Sequence, residues 1–416
     1  MRKQEDIVII GGGIIGMSMA YELSRRGARV TVIDKGEVGF GCSYGNAGWV
    51  TPCFAMPLPM PGMLLKSIGW LMDPESPLYI KPSMSPSLLS WLTRFLRSMN
   101  RPLMLQSINA LVDLSNYSLE AYAQLHEQFP NTINYVQNGL LMVSQTEAGL
   151  AAAENERQLV APLGIPGSFL NADDVRKLEP AVIGDIKGGV YFPKEAHVEP
   201  LAAVRTLADA ATKYGARILP KTEVYDFIIE NQEIKEIHTT RGPMKADKFV
   251  LATGSWSPGL AKKLGINIPV LGGKGYAIIT NPLEIQPKIP LMLVERKIAV
   301  TPRDGSLRLA GTLELVNPSD DSISPRRVNA IIKGASRFLK VPENPEIKEL
   351  WRGLRPCTPD GVPVVDYSTR QKNLLISAGH QMLGLQSAPG SARLAADLLL
   401  GDTPKFDPRP FRASRF

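Results

Sequence analysis

The chain begins with an unbroken apolar run, Ile7, Val8, Ile9 and Ile10. Such a run predicts a parallel strand covered on both faces. Within Ile7–Asp34 a tight glycine turn, a helix and a short turn follow, and Arg29–Ile33 is a second strand closed by Asp34. Helices are also predicted over Pro86–Met99 and Leu103–Phe129. In the second, Leu105, Ile108, Leu111, Val112, Leu119 and Leu125 largely follow helical spacing. Val136–Gln145 reads as strand, with Asn138-Gly139 as a turn signal. Ala148–Leu163 predicts a helix, Asn171–Leu178 a capped helix, and Gly188–Phe192 a strand. Helix Pro200–Tyr214 ends at Gly215, a C-cap signal. Strands with polar turns follow, of which Phe249–Ala252 is short and buried. Pro269–Thr280, Ile298–Thr301 and Leu307–Leu315 predict strands of another sheet, and Arg326–Phe338 a helix. Trp351–Val365 contains two turn-forming stretches, and Leu374–Ser377 is a last buried strand. A glycine-rich approach then leads into a closing helix, where Pro389 is tolerable only near the first turn.

The first strand runs into Gly11, Gly13 and Gly16, the spacing G-x-G-x-x-G. The first glycine permits a tight turn, the second lets backbone approach a pyrophosphate, and the third lets helix and sheet pack closely. Ile14 and Ile15 open the helix, whose free N–H groups and positive dipole end face the phosphates. Asp34 lies where a carboxylate accepts from ribose hydroxyls. This context predicts a bound dinucleotide. The small-residue loop after Lys35 brings Cys42, Ser43 and Asn46 within reach of phosphate or ring heteroatoms. Ala47, Gly48, Trp49 and Val50 are expected along one ring edge. Ala252, Thr253 and Gly254 end a strand at the edge where such sheets bind ligands, and Val224 offers a backbone contact to the base.

Composition narrows the classes. At 416 residues the chain is long enough for two intimately joined domains. Lys and Arg total 47 against 40 acids, a net charge of +7, without a long basic run. Nucleic-acid binding is therefore a poor reading, and a small anionic cofactor or substrate a better one. Cys42, Cys53 and Cys357 form no C-x-x-C pair and no disulfide framework, which points to a reduced, cytosolic compartment. The start, MRKQED, runs straight into the first strand and leaves no room for a cleavable signal. No run of eighteen apolar residues exists, so no spanning helix is expected, and no metal site is expected either. Met56–Tyr79 is apolar and broken by Pro57, Pro59 and Pro61, with Met63–Met72 as a candidate helix. Trp70, Leu71 and Met72 suit core packing or a subunit interface first, and a peripheral membrane surface second.

Six separated blocks resemble one family, the flavin-dependent D-amino-acid oxidase, glycine oxidase and D-amino-acid dehydrogenase group. They are GGGIIG with Asp34, GCSYGNAGWVTP, Lys274-Gly275-Tyr276, VLATGSWSP, GLRPCTPDGVPVV and GHQMLGLQ with its helix. PGMLLKSIGWLMDPESPLYIKP resembles the D-amino-acid dehydrogenase branch. The resemblance implies an α/β and α+β fold: a Rossmann-type FAD domain (1–55, 196–258, 349–410) interleaved with a mixed-sheet substrate domain (56–195, 259–348). It implies FAD, Arg355 as the clamp on a substrate carboxylate, and Tyr276 lining the substrate site. Gly353, Gly379, His380, Met382, Leu383, Gly384, Leu385 and Gln386 are implied beside the flavin. Met382 stands where glycine-oxidase-like members carry arginine, which argues against glycine as substrate. Gln386 is expected to reach substrate or flavin. Cys53 either lines the pocket or packs as a small apolar residue. Family members with a flavin-linking cysteine carry it where this chain has Gly353, and Cys357 is too near Asp360, so FAD is expected to be non-covalent. Hydride transfer from Cα to flavin N5 needs no general base, and His380 is not assigned that role. The implied reaction is dehydrogenation of a D-amino acid, D-proline or hydroxy-D-proline included, with electrons passed to a quinone or another carrier. The rivals are an oxidase using oxygen, a non-catalytic flavin-binding subunit and an NAD-dependent dehydrogenase.

Overall fold

A computed structural model describes residues 4–61, 78–80, 86–316, 320–342 and 344–416. One sheet has six strands in the order Val364–Tyr367, Leu374–Ala378, Lys248–Leu251, Asp6–Ile10, Arg29–Ile33 and Arg217–Leu219. All neighbours are parallel except the Val364–Tyr367 edge. Its central strand explains the opening apolar run. Ile7 and Ile9 pack into one core with helices Ile14–Arg25, Pro200–Lys213 and Gly384–Leu400. Val8 and Ile10 face a second core with Phe227, Ile234 and Ile237. Those three belong to an antiparallel meander, Val224–Glu230, Glu233–Thr239 and Gly242–Met244. From Asp6–Ile10 the chain pairs one way with Arg29–Ile33 and the other way with Lys248–Leu251. A crevice at the carboxyl end of the central strand follows from that switch.

The second sheet has nine strands and is mixed. Its main order is Ile347–Cys357, Leu271–Thr280, Ser306–Val316, Ile298–Arg303, Leu291–Leu293, Leu140–Ser144, Gly188–Phe192 and Ser168–Asn171. Leu78–Ile80 pairs with Ser306–Val316. Helix Pro325–Ala335 packs Val328, Ile331 and Ile332 against Tyr276, Ile278 and Leu309 on one face. Across the first three strands the register slips by one between the pairs Lys274↔Glu314 and Tyr276↔Gly311. One extra residue on the Ser306–Val316 strand makes a bulge there, and Thr312 takes φ +61°. A separate two-stranded pair, Trp49–Val50 with Ala196–His197, is tied to the second sheet where Trp49 Nε1 donates to Thr301 Oγ1 (2.9 Å), which donates to the Ala47 carbonyl (2.8 Å).

Most predicted elements are present with ends shifted by a few residues, for example Arg101–Gln128 and Glu147–Val160. Asn171 caps its helix by accepting from Asp174 N–H at 2.9 Å. Trp351–Cys357 departs from expectation: it is strand, because Ile347–Cys357 pairs with Leu271–Thr280 along its whole length. The stretch Met63–Met72 and its Trp70, Leu71 and Met72 lie outside the described residues. No helix of the described residues is long and apolar enough to cross a membrane.

Pro389 also departs from expectation, lying in the second turn of Gly384–Leu400. A proline there frees the carbonyl four residues back, Leu385. The buried Tyr122 hydroxyl donates to that carbonyl at 3.0 Å. Beside it, Gly390 packs so close to helix Arg101–Gln128 that a Cβ would lie 2.5 Å from the Leu114 carbonyl oxygen. Tyr122→Phe should leave the Leu385 carbonyl buried and unpaired, at a cost of about 1–3 kcal/mol. Chemical denaturation of the holoprotein checks this, and an unchanged midpoint would mean that the carbonyl finds another partner.

Candidate active site

A cavity of about 920 Å³ runs along the crevice of the first sheet and across the second. That is near the upper end of ligand sites, which span about 300–1,000 Å³. One end is bordered by Asp34, Lys35, Glu223, Val224 and Tyr225, the other by Met292, Ala299 and Thr312.

The first half is shaped by backbone. Gly11, at φ +117°, crosses the end of strand Lys248–Leu251 so closely that a Cβ would lie 2.4 Å from the Ala252 carbonyl oxygen. Gly16 meets the Gly11 carbonyl oxygen in the same way, at 1.9 Å, and serves packing rather than lining. Helix Ile14–Arg25 has no acid in its first turn and no side-chain bond from its N-cap residue, Gly13. Ser43 Oγ approaches from the loop and accepts from Ile14 N–H at 3.0 Å. Asp34 is held by Gly12 N–H at 2.6 Å and Gly36 N–H at 2.8 Å. Each carboxylate oxygen keeps lone-pair capacity for a hydroxyl. Lys35 Nζ lies 4.5 Å from the centre of the Trp256 ring. Helix Gly384–Leu400 also opens into the cavity through Gly384, Leu385 and Gln386, again with no acid in its first turn. An elongated cleft with backbone walls and two helix N-termini fits a dinucleotide carrying a ring system.

The second half has a floor of small residues, Gly275, Ala299, Ala310 and Gly353. Across it lies Arg355. Its Nη1 donates to the Thr312 carbonyl at 2.6 Å, and a Cβ on Gly275 would lie 2.1 Å from that nitrogen. No carboxylate among the described residues pairs with Arg355. Burial lowers its pKa, but a guanidinium remains charged. The Thr312 hydroxyl is buried without a partner among the described residues, as are both side-chain polar atoms of Gln381, at φ +51°.

Of the residues expected around the cavity, Gly11, Gly13, Ile14, Ile15, Asp34, Lys35, Cys42, Ser43, Asn46, Ala47, Trp49, Val224, Ala252, Thr253 and Gly254 line it. So do Gly353, Arg355, His380 and Met382–Gln386. Gly48, Val50 and Gly379 lie behind the wall. Gly48 and Gly379 occupy positive-φ turns, and Val50 pairs with Ala196. Cys53 does not line the cavity either: it is fully buried, with its N–H donating to Glu195 at 3.3 Å. Tyr276 borders the cavity, but its ring packs on the helix side of the sheet and its hydroxyl accepts from Ser324 N–H at 3.1 Å. Strand alternation puts it opposite Gly275, so it does not cover the Arg355 face. Gln386 is committed as well, accepting from Thr51 Oγ1 (3.1 Å) and donating to Ser115 Oγ (3.2 Å). Thr312, Gln381, Glu156 and Lys297 border the cavity without having been expected there as site residues. The only sequence signal for Thr312 is the small run Ala310-Gly311-Thr312 inside an apolar strand.

Burial sets the protonation states. Cys42 is pushed up to about 11 and Cys357 to about 12, so both thiols stay neutral; Cys42 donates to the Leu354 carbonyl at 2.7 Å. His380, bonded through Nε2 to Ser391 Oγ at 3.0 Å, is pulled down to about 3, and His197 to about 4. Both imidazoles are neutral in the fold and take up protons only when it opens. Their stabilising effect is present above about pH 6.5, the unfolded value, and is lost as pH falls towards 4 and 3. Melting temperature should therefore fall on acidification below about pH 6.5, and less steeply in His380→Asn. Parallel melting profiles of the two proteins would contradict the assignment.

A family model described as FAD dependent oxidoreductase matches residues 6–398. A D-amino acid dehydrogenase of Vibrio atlanticus (strain LGP32) is 33% identical over 406 residues, covering 95% of this chain and 96% of that protein. One of Agrobacterium fabrum (strain C58 / ATCC 33970) is 31% identical, covering 99% of each. Glycine oxidase from Geobacillus kaustophilus superposes with a TM-score of 0.80 at 23% identity, covering 99% of each chain. L-proline dehydrogenase from P. horikoshii gives 0.77 at 21%, covering 100% of this chain and 98% of the other. The glycine-lined crevice and the match along nearly the whole chain agree: the protein belongs to the FAD dependent oxidoreductase family and uses FAD as its cofactor.

Proposed function

We propose that the protein dehydrogenates D-amino acids, holding the substrate carboxylate on Arg355. The observation that carries this reading is the partly buried guanidinium, which faces a ligand cavity with no carboxylate of the described residues to neutralise it. A buried unpaired charge is costly, so a ligand anion is its natural complement. The D configuration is supported by the relatives named D-amino acid dehydrogenase. A quinone or other carrier is proposed as electron acceptor.

FAD, when bound, takes up the hydride equivalent removed from the substrate. The protein's own residues orient and exclude. The Thr312 carbonyl occupies one N–H of Arg355 and fixes the plane of the fork, leaving an edge for two-point contact with a carboxylate. The Thr312 hydroxyl is a second donor at the same place. Gly275, Ala310 and Ala299 keep the floor clear, so the α-carbon can approach the ring. Met382 and Leu383 exclude water from one side. The N-terminus of Gly384–Leu400 would offer its positive end to negative charge developing on the bound flavin. Neutral His380, held by Ser391, takes no proton from the amine. We assign the FAD-binding part to 1–55, 196–258 and 358–410, and strand Ile347–Cys357 to the substrate-binding part, whose sheet it joins.

Arg355→Ala should lower kcat/KM for flavin reduction by about thirtyfold or more, corresponding to about 2–5 kcal/mol. Arg355→Lys should recover part of that loss, because an ammonium cannot form the planar fork. Both variants should retain FAD, whose phosphate grip lies at Gly11–Gly16. Stopped-flow reduction under nitrogen measures this; an alanine variant that keeps its flavin and the parent rate at low substrate would remove Arg355 from the clamp. Gly275→Ala supplies an independent probe, since its Cβ displaces the guanidinium without removing the charge. It should raise KM several-fold, and an unchanged KM would place the carboxylate elsewhere.

A further inference from the structure

The cavity has a second charged pole that the carboxylate clamp does not use. Glu156 borders it from helix Glu147–Val160, whose buried Ala153 and Val160 join a core with Met56, Met142, Met292 and Leu383. The Glu156 side chain is only 13% exposed. Its Oε2 is fully buried and has no hydrogen-bond partner among the described residues. The nearest cation is Lys297, with 4.0 Å between Nζ and Oε1. That separation is too long for a hydrogen bond. The Lys297 side chain is 42% exposed, in the turn joining Leu291–Leu293 to Ile298–Arg303. A carboxylate among methionines with one free oxygen lacks a donor among the described residues, and the cavity that it borders gives a ligand's donor access to it.

The sheet sets the distance between the poles. The Arg355 guanidinium lies over Gly275 and the Thr312 carbonyl, hence over the strands Leu271–Thr280 and Ser306–Val316. Glu156 stands beside the end formed by Leu291–Leu293 and its turn. Two to three inter-strand steps separate them, about 10–14 Å. An α-ammonium lies next to its own carboxylate and cannot bridge that gap. An extended side chain of four or more bonds ending in a donor can.

Resting on the carboxylate assignment to Arg355, we propose that Glu156 forms a specificity subsite for a side-chain cation, and that the preferred substrates are long basic D-amino acids of the lysine and arginine type. Glu156 accepts from the terminal ammonium or guanidinium, while Lys297 turns outward to solvent. A small cyclic substrate such as D-proline leaves this pole unfilled.

The test has two arms. In the first, holoenzyme is reduced anaerobically by D-lysine, D-arginine, D-norleucine, D-glutamate and D-proline. D-lysine should exceed D-norleucine, which has a similar chain without the charge, by at least tenfold in kcat/KM. In Glu156→Gln that ratio should fall at least tenfold, mainly through KM. Preference for D-norleucine, D-glutamate or D-proline, or an unchanged ratio in the variant, would overturn the proposal. The second arm needs no turnover. 6-Aminohexanoate and hexanoate share a carboxylate and differ in a distal ammonium, and their binding to wild-type holoenzyme is read from the flavin absorbance shift. Tenfold tighter binding of 6-aminohexanoate supports the subsite, and equal binding refutes it. Failure of every D-amino acid to reduce the flavin would refute the proposed reaction, while this binding comparison would still decide the subsite.

Discussion

The second sheet accommodates a partly buried guanidinium with no countercharge among the described residues, and much of the surrounding architecture follows from that constraint. Arg355 needs room, a fixed plane and a polar contact that leaves its charge intact. Gly275 provides the room, because any Cβ there would meet the guanidinium. The bulge at Thr312 provides the contact by turning a carbonyl out of the sheet ladder towards Nη1. A β-branched residue at positive φ is strained, and such strain persists where the surroundings over-determine it. Here the flanking strands pin the residue on both sides, with Lys274↔Glu314 and Tyr276↔Gly311 fixing the register around it.

The cofactor half obeys a different constraint, close approach of backbone to backbone. Gly11 against Ala252 and Gly16 against Gly11 bring two strands and one helix to a single point. The closing helix reaches the same crevice from the far end of the chain. Its proline would leave a carbonyl unpaired, and the hydroxyl of Tyr122 satisfies it. Helix Arg101–Gln128 therefore both seals the closing helix and fixes where its N-terminus points.

Sequence reading located the parts whose chemistry is local. The glycine spacing, the strand–helix–strand order and Asp34 are contiguous, and each constrains the others. Arg355 was found through a motif and lies in the cavity. Tyr276 borders the cavity but packs its ring on the helix side, for a reason invisible in a motif: alternation along a strand decides which face a side chain takes, and the bulge beside it is a tertiary feature. Gln386 lines the cavity, but its two partners, Thr51 and Ser115, come from distant segments that no motif shows. Glu156 carried no signal and Thr312 only its run of small neighbours, since one is a helix carboxylate and the other a strand threonine until the fold sets them against the same space. The strand at Ile347–Cys357 was hidden by its glycine and its proline, which the long pairing with Leu271–Thr280 overrides.

The central claim is that this cavity binds an amino acid by its carboxylate and passes a hydride equivalent to FAD from one enantiomer. The most direct measurement is the flavin absorbance of the purified holoenzyme under anaerobic conditions after mixing with D-lysine and, separately, L-lysine. The account predicts bleaching by the D enantiomer and a stable oxidised spectrum with the L enantiomer. Bleaching by the L enantiomer at an equal or greater rate, or by neither across a panel of amino acids, would contradict it.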